Sequence, residues 1–279
     1  MLNFTKFLKM DVKKEQQIIV FTTLTDSDKN LVLCGIKLAR IFKKELCLVY
    51  HLKRSERKNR MYLTLKLTKQ LESLNHEVSS MKTSVLLTEG NLKNLPEKLA
   101  DDYEAILLVA SNADYKKYSQ AVINSPIPFL FTNPTFPISA FQRIVLPIDL
   151  RRENSDTALW CSWFGRFGNS EITAVAANEN GHDSKRLVAQ NVLLAKKLFH
   201  KTGVVHKFFK GRRSSLNNSF EAMDYALDSE SDLLVLLGSS VITPLDWLLG
   251  LPERKIIARA GQLPVLLVNP RRDNYILCD

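Results

Sequence analysis

Residues 232–250, DLLVLLGSSVITPLDWLLG, carry the arrangement in this sequence best suited to holding an anion. Gly238 closes an apolar run, Ser239 and Ser240 follow it, and Gly250 comes twelve positions after Gly238. Such a turn can aim backbone N–H groups at a phosphate, because glycine takes positive φ without steric cost. The chain between the glycines argues the other way. Val241 is β-branched and resists positive φ, and ITPLDWLL is bulky, apolar and carries Asp246. It reads as a segment packed on a sheet, or as a partner surface around Trp247, more than as a wet phosphate loop.

Other chemistries lack their residues. There is no G-x-x-x-x-G-K-[ST] phosphate loop, no G-x-G-x-x-G fingerprint and no G-x-S-x-G nucleophile elbow. The serines of GRRSS and GSS have no elbow to expose them, so no catalytic residue is expected and the chain reads as a non-enzyme. Cys34, Cys47, Cys161 and Cys278 form no C-x-x-C pair and read as buried free thiols. The five histidines make no H-x-x-x-H or H-x-H spacing, so no metal site is expected.

The elements that must position the glycines follow from the apolar pattern. Ten short runs recur: QIIVFTT, ELCLVYH, TSVLLTE, AILLVAS and IPFLFTN, then RIVLPID, EITAVAA, VVHKFFK, DLLVLLG and LPVLLVN. Their apolar residues are consecutive rather than alternating, as in strands covered on both faces of a parallel sheet. Amphipathic stretches lie between them. Residues 28–43 place Leu31, Cys34, Leu38 and Phe42 on one face, and residues 184–200 do so with Leu187, Leu194 and Leu198. Asp183 or Ser184 is the expected cap of the second stretch, and Asn91 that of the helix containing LPEKLADDY.

The order is β-α-β-α-β-α-β-α-β, stated twice. SPIPFLFTNP ends the first statement and GQLPVLLVNP the second. The expected class is therefore α/β, with two tandem doubly wound parallel-sheet domains. Their expected extents are 1–134 and 140–279, joined through NPTFPISAF (133–141), whose prolines stiffen the connection.

With 279 residues, 45% of them hydrophobic, the chain can bury a substantial core. No apolar run reaches the roughly 18 residues of a membrane span, and the opening residues lack the apolar centre of a secretion signal. A soluble cytoplasmic protein is the expectation. The net charge is +10, and residues 1–60 hold 14 Lys or Arg against 6 Asp or Glu. Such a region could attract nucleic acid, anionic lipid or an acidic partner. Aromatic residues do not interleave with the bases as a stacking platform requires, so a solvated basic face is preferred and nucleic acid or membrane contact is not expected.

The duplicated order, the aspartate ending RIVLPID, the glycine of KGRR (210–213) and the course GSS…LLG…ERKIIARAGQLPVLLV resemble a tandem universal stress protein over about residues 15–270. The resemblance implies the nucleotide α-hydrolase-like fold. It also implies that the last strands of the two domains, IPFLFTN and LPVLLVN, pair as an internal pseudo-dimer. It implies ATP or another adenine nucleotide as the ligand where one is bound, a regulatory role in the stress response, and protein partners the sequence does not name. Association of two chains into a homodimer is a further expectation.

The family's phosphate motif is Gly, two residues, Gly, nine residues, Gly, then Ser or Thr. Here Gly238 fits, Val241 and Leu251 replace the next two glycines, and Gly250 is one place early. The implied candidates are Asp149 for adenine or ribose, and Gly238, Ser239, Ser240 and Gly250 for phosphate, with Arg151, Arg152 and Arg212 as nearby cations. Asp149 reads equally as a turn residue after a strand. In the first half the glycines are missing, the loop region is nine residues shorter, and Thr22 and Thr23 stand near the aspartate position. Asp26 and Asp28 there read as helix caps. A degenerate or absent nucleotide site, with action through protein partners, is the preferred expectation; a nucleotide sensor with one live site in the second domain is the alternative.

Overall fold

All ten apolar runs form strands in the computed structural model, which describes residues 15–78, 81–137, 140–238 and 251–270. They are β1 (Gln17–Phe21), β2 (Glu45–His51), β3 (Thr83–Thr88), β4 (Ala105–Ser111), β5 (Phe129–Thr132), β6 (Arg143–Ile148), β7 (Glu171–Ala176), β8 (His206–Lys210), β9 (Leu233–Leu237) and β10 (Val265–Val268). The described helices are α1 (Lys29–Phe42), α2 (Arg60–Glu72), α3 (Asn75–Val78), α4 (Leu95–Tyr103), α5 (Tyr115–Asn124), α6 (Asn154–Gly168), α7 (His182–Lys201), α8 (Ser215–Asp228) and α9 (Pro252–Arg259).

The strands join in one sheet of order β3-β2-β1-β4-β5-β10-β9-β6-β7-β8. Every pairing is parallel except the central one. There β5 and β10 run antiparallel, with Phe131 opposite Val265, Leu130 opposite Leu266 and Phe129 opposite Leu267. The two five-stranded halves therefore meet strand to strand, in the pseudo-dimer arrangement expected from the two terminal runs.

Consecutive apolar residues serve two cores, because side chains alternate across a strand. Ile18 and Val20 join a core with α1, α2, α6 and α7. Ile19 and Phe21 join a second core with α4, α5, α8 and α9. The first core crosses the seam: Phe42 of α1 meets Phe164, Trp160 and Phe167 of α6, with ring centroids 5.0, 5.9 and 6.3 Å away. Phe141, at the entrance to the second half, is fully buried although its φ is +57°. Burial of its ring outweighs a backbone cost of about 1–2 kcal/mol.

Two helix expectations are corrected. α7 begins at His182 with Gly181 as its N-cap, ahead of Asp183 and Ser184. Its buried stripe is Val188, Asn191, Ala195 and Phe199, which leaves Leu194 57% exposed. A polar residue on the buried stripe turned the apolar reading by one position. Asn91 accepts the Lys93 N–H at 2.9 Å and caps the 3-10 turn Leu92–Asn94 that leads into α4, whose own N-cap is Asn94. The Asp28 carboxylate accepts the Thr23 N–H at 2.7 Å and the Thr25 N–H at 3.4 Å, which closes the capping box of the 3-10 turn Asp26–Asp28 and caps no N–H of α1. Cys34, Cys47 and Cys161 are buried and free, and burial pushes the Cys34 thiol up to about 12 and the Cys47 thiol up to about 11. No helix among the described residues is long and apolar enough to cross a membrane.

Candidate functional site

A cleft of about 430 Å³ opens at the carboxyl ends of β6 and β9, where the strand order of the second half changes direction. Open α/β sheets bind ligands at such crevices. Asp149, Leu150 and Arg151 line it from the turn after β6, Leu236 and Leu237 from the end of β9, and Glu179, Ser215 and Glu253 from the loops and helices around them.

Asp149 is buried, and its carboxylate is already engaged. Oδ1 accepts the Arg151 N–H at 2.8 Å and the Asn154 side-chain amide at 2.8 Å. Oδ2 accepts the Arg151 guanidinium at 2.9 Å through Nε and at 2.6 Å through a terminal nitrogen. Two guanidinium N–H groups thus converge on one carboxylate oxygen in a charge-assisted pair. Asn191 of α7 ties the same turn down from outside, donating to the Asp149 and Arg151 carbonyls at 2.9 and 2.8 Å. Asn218 of α8, fully buried, donates to the Ile148 and Val175 carbonyls, both at 3.0 Å.

Gly238 is set by its neighbour Asn269. Its N–H donates to the Val268 carbonyl at 2.8 Å. A Cβ at Gly238 would stand 2.3 Å from Asn269 Oδ1. Asn269 reaches across the seam into the first half, donating to the Val122 carbonyl and, at 3.0 Å, to the Ser125 carbonyl. The glycine makes room for that crossing. Ser239, Ser240 and Gly250 lie outside the described residues, as do Val241, Asp246, Trp247 and Cys278.

Two further groups of N–H donors beside the cleft are filled by the chain's own carboxylates. Glu221 accepts the Arg212 and Arg213 N–H groups at 2.7 and 2.9 Å. Gly211 is needed there, because a Cβ would stand 2.6 Å from Glu221 Oε2 and 3.1 Å from the Ala176 carbonyl. Glu179 accepts the Ser215 N–H at 2.6 Å at the start of α8. The Ser215 hydroxyl and N–H hold the Glu179 carboxyl below the usual carboxylate value. Of the three arginines flagged beside the site, Arg151 pairs with Asp149 while Arg152 and Arg212 lie exposed.

In the first half the corresponding place is filled. α5 follows β4 after a single turn and lays Tyr118 against Phe21, with centroids 4.7 Å apart, and Tyr115 against Phe131 at 5.1 Å. Both tyrosines are buried. Thr22 and Thr23 bond to Asp28 at 2.5 and 3.0 Å.

The fold has close counterparts among solved structures. A universal stress protein from Archaeoglobus fulgidus DSM 4304 superposes with a TM-score of 0.66 over 92% of this chain and 97% of its own, at 11% identity. The chain has the universal stress protein fold. A functionally unknown protein from Pseudomonas aeruginosa PAO1 shares that fold with a TM-score of 0.59 and 14% identity, over 92% of this chain and 93% of its own. Comparison of the sequence with protein-family models and with curated proteins returns no match. What the chain shares with these structures at 11% and 14% identity is the universal stress protein fold.

Asn154, Asn191, Asn218, Glu179, Glu221 and Asn269 were not found by motif. A signal existed for three of them: Asn154, Asn191 and Asn218 are buried polar residues on the inner faces of their helices. An amide there must have partners, and those partners turn out to be the carbonyls around the cleft.

Proposed function

We propose that this chain is a non-catalytic regulatory protein of the universal stress type that acts through protein partners and does not depend on nucleotide. One observation carries the reading: the groups a nucleotide would need around Asp149 and Gly238 are committed to the chain itself. The Asp149 carboxylate is held by Arg151 and Asn154, and the Gly238 N–H by Val268. Among the described residues the cleft lining carries Asp149, Glu179 and Glu253 against Arg151, a balance that opposes a polyphosphate.

The existence of a roughly 430 Å³ cleft at the strand-order switch favours a second reading, a sensor of adenine nucleotide with one live site. Thermal melting with MgATP, ADP and AMP separates the two, with Asp149→Ala as control. A nucleotide at a hundred times its Kd would add about 2.7 kcal/mol, a shift of several degrees. We expect no shift at millimolar nucleotide. A shift that disappears in Asp149→Ala would overturn the reading in favour of the sensor.

A further inference from the structure

Helix α2 carries its apolar residues on two sides. Leu67 and Leu71 are buried against the sheet. Met61, Tyr62 and Leu65 point outward, 87%, 65% and 53% exposed. Between Lys53 and Lys69 the chain holds seven Lys or Arg and one acid, Glu56. Glu56 accepts the Lys53 N–H at 2.8 Å and the Tyr50 hydroxyl at 2.9 Å. Arg57 and Arg60 share Glu89 at 3.1 and 3.7 Å. Beside the apolar face, a cleft of about 460 Å³ separates α2 from the start of α1; its lining carries three cations, Lys29, Lys66 and Lys69, against one acid, Asp26.

We propose that this face of α2 docks on an anionic lipid surface, with Met61, Tyr62 and Leu65 entering the headgroup–acyl boundary and a headgroup phosphate seated in the lysine cleft. Three features select this occupant. The apolar side chains project from a helix surface rather than line the cleft beside them, which suits insertion into an interface. Tyrosine is the aromatic type suited to a boundary that is apolar on one side and wet on the other. A second copy of this chain would bring the same cationic field against itself, whereas an anionic surface complements it. This inference is independent of the cleft at Asp149, and it departs from the expectation, drawn from the basic charge of residues 1–60, of a merely solvated face.

Vesicle co-sedimentation tests it with the full chain. Vesicles of phosphatidylcholine alone are compared with vesicles of phosphatidylcholine and phosphatidylglycerol. We expect binding to the anionic vesicles only. Lys66→Gln with Lys69→Gln should lower the partition coefficient about thirtyfold, near fivefold for each charge. Met61→Ser with Leu65→Ser should lower it at least about tenfold at unchanged net charge. All four side chains are exposed, so melting curves should match the parent and certify folding. Failure to sediment with anionic vesicles, or binding that survives Met61→Ser with Leu65→Ser, would overturn the proposal. Binding to soluble polyglutamate that depends on Met61 and Leu65, without vesicle binding, would overturn it in favour of an acidic protein partner.

Discussion

Gly238 is the residue where two explanations of one glycine part. The φ of Gly238 is not positive, so alanine brings no backbone strain there, and a glycine kept only for a phosphate would be indifferent to alanine when no nucleotide is present. A glycine kept for the approach of Asn269 is not, since a Cβ would meet Oδ1 at 2.3 Å. Gly238→Ala should therefore cost about 1–3 kcal/mol in nucleotide-free protein, measured by urea unfolding. Asn269→Ala in the same chain should recover part of that cost, because the two changes share one contact. Glu179 gives a second residue-scale prediction. Its folded-state pKa is depressed, so the unfolded chain takes up the proton first as pH falls. The stability it contributes is present above the ordinary glutamate value and is lost as pH falls through and below that value. Glu179→Gln should flatten this part of the acid limb in a stability–pH profile and leave its neutral region with the same slope.

Elements with equivalent places in the two halves have been put to different uses. In the second half a turn and a cleft follow β6 and β9; in the first, α5 packs two tyrosines into the corresponding space. Such a chain keeps the strand order of a repeat while its loops diverge, since loops tolerate change that a two-sided core does not. Helices α1 and α6 show what is retained. They face one another across the seam through Phe42, Trp160 and Phe164. Phe42→Ala should cost about 3–5 kcal/mol. A double-mutant cycle with Trp160→Ala should give a coupling of about 0.5–3 kcal/mol, read from denaturant curves. Additive losses would mean that the two helices do not support one another across the seam.

At the scale of the whole molecule, one sheet runs through both halves, and both cores contain side chains from each. The antiparallel β5–β10 pair covers the strand edges that either half would otherwise expose, and Asn269 bonds across the same junction. The outer edges are β3 and β8, and β8 carries Lys207 and Lys210, charges that discourage further strand addition.

The apolar runs by themselves determined ten strands, their burial on both faces and their statement twice, because period and burial are written in consecutive residue types. The resemblance to universal stress proteins, rather than the runs themselves, pointed to the end of β6 at Asp149 and the end of β9 at Gly238. Tertiary structure decided the rest. Whether Asp149 is an open acceptor or a closed one depends on Arg151, Asn154 and Asn191, and the last comes from a helix some forty residues away in sequence. Whether Gly238 faces a ligand or a side chain depends on Asn269, which follows the last strand. Which leucines of α7 and α2 are buried turned on the rotation of each helix against the sheet, and a single buried asparagine was enough to displace that reading. Pattern fixes which elements form. Only the packed chain sets which polar groups find one another, since their partners lie far apart in sequence and no local rule pairs them.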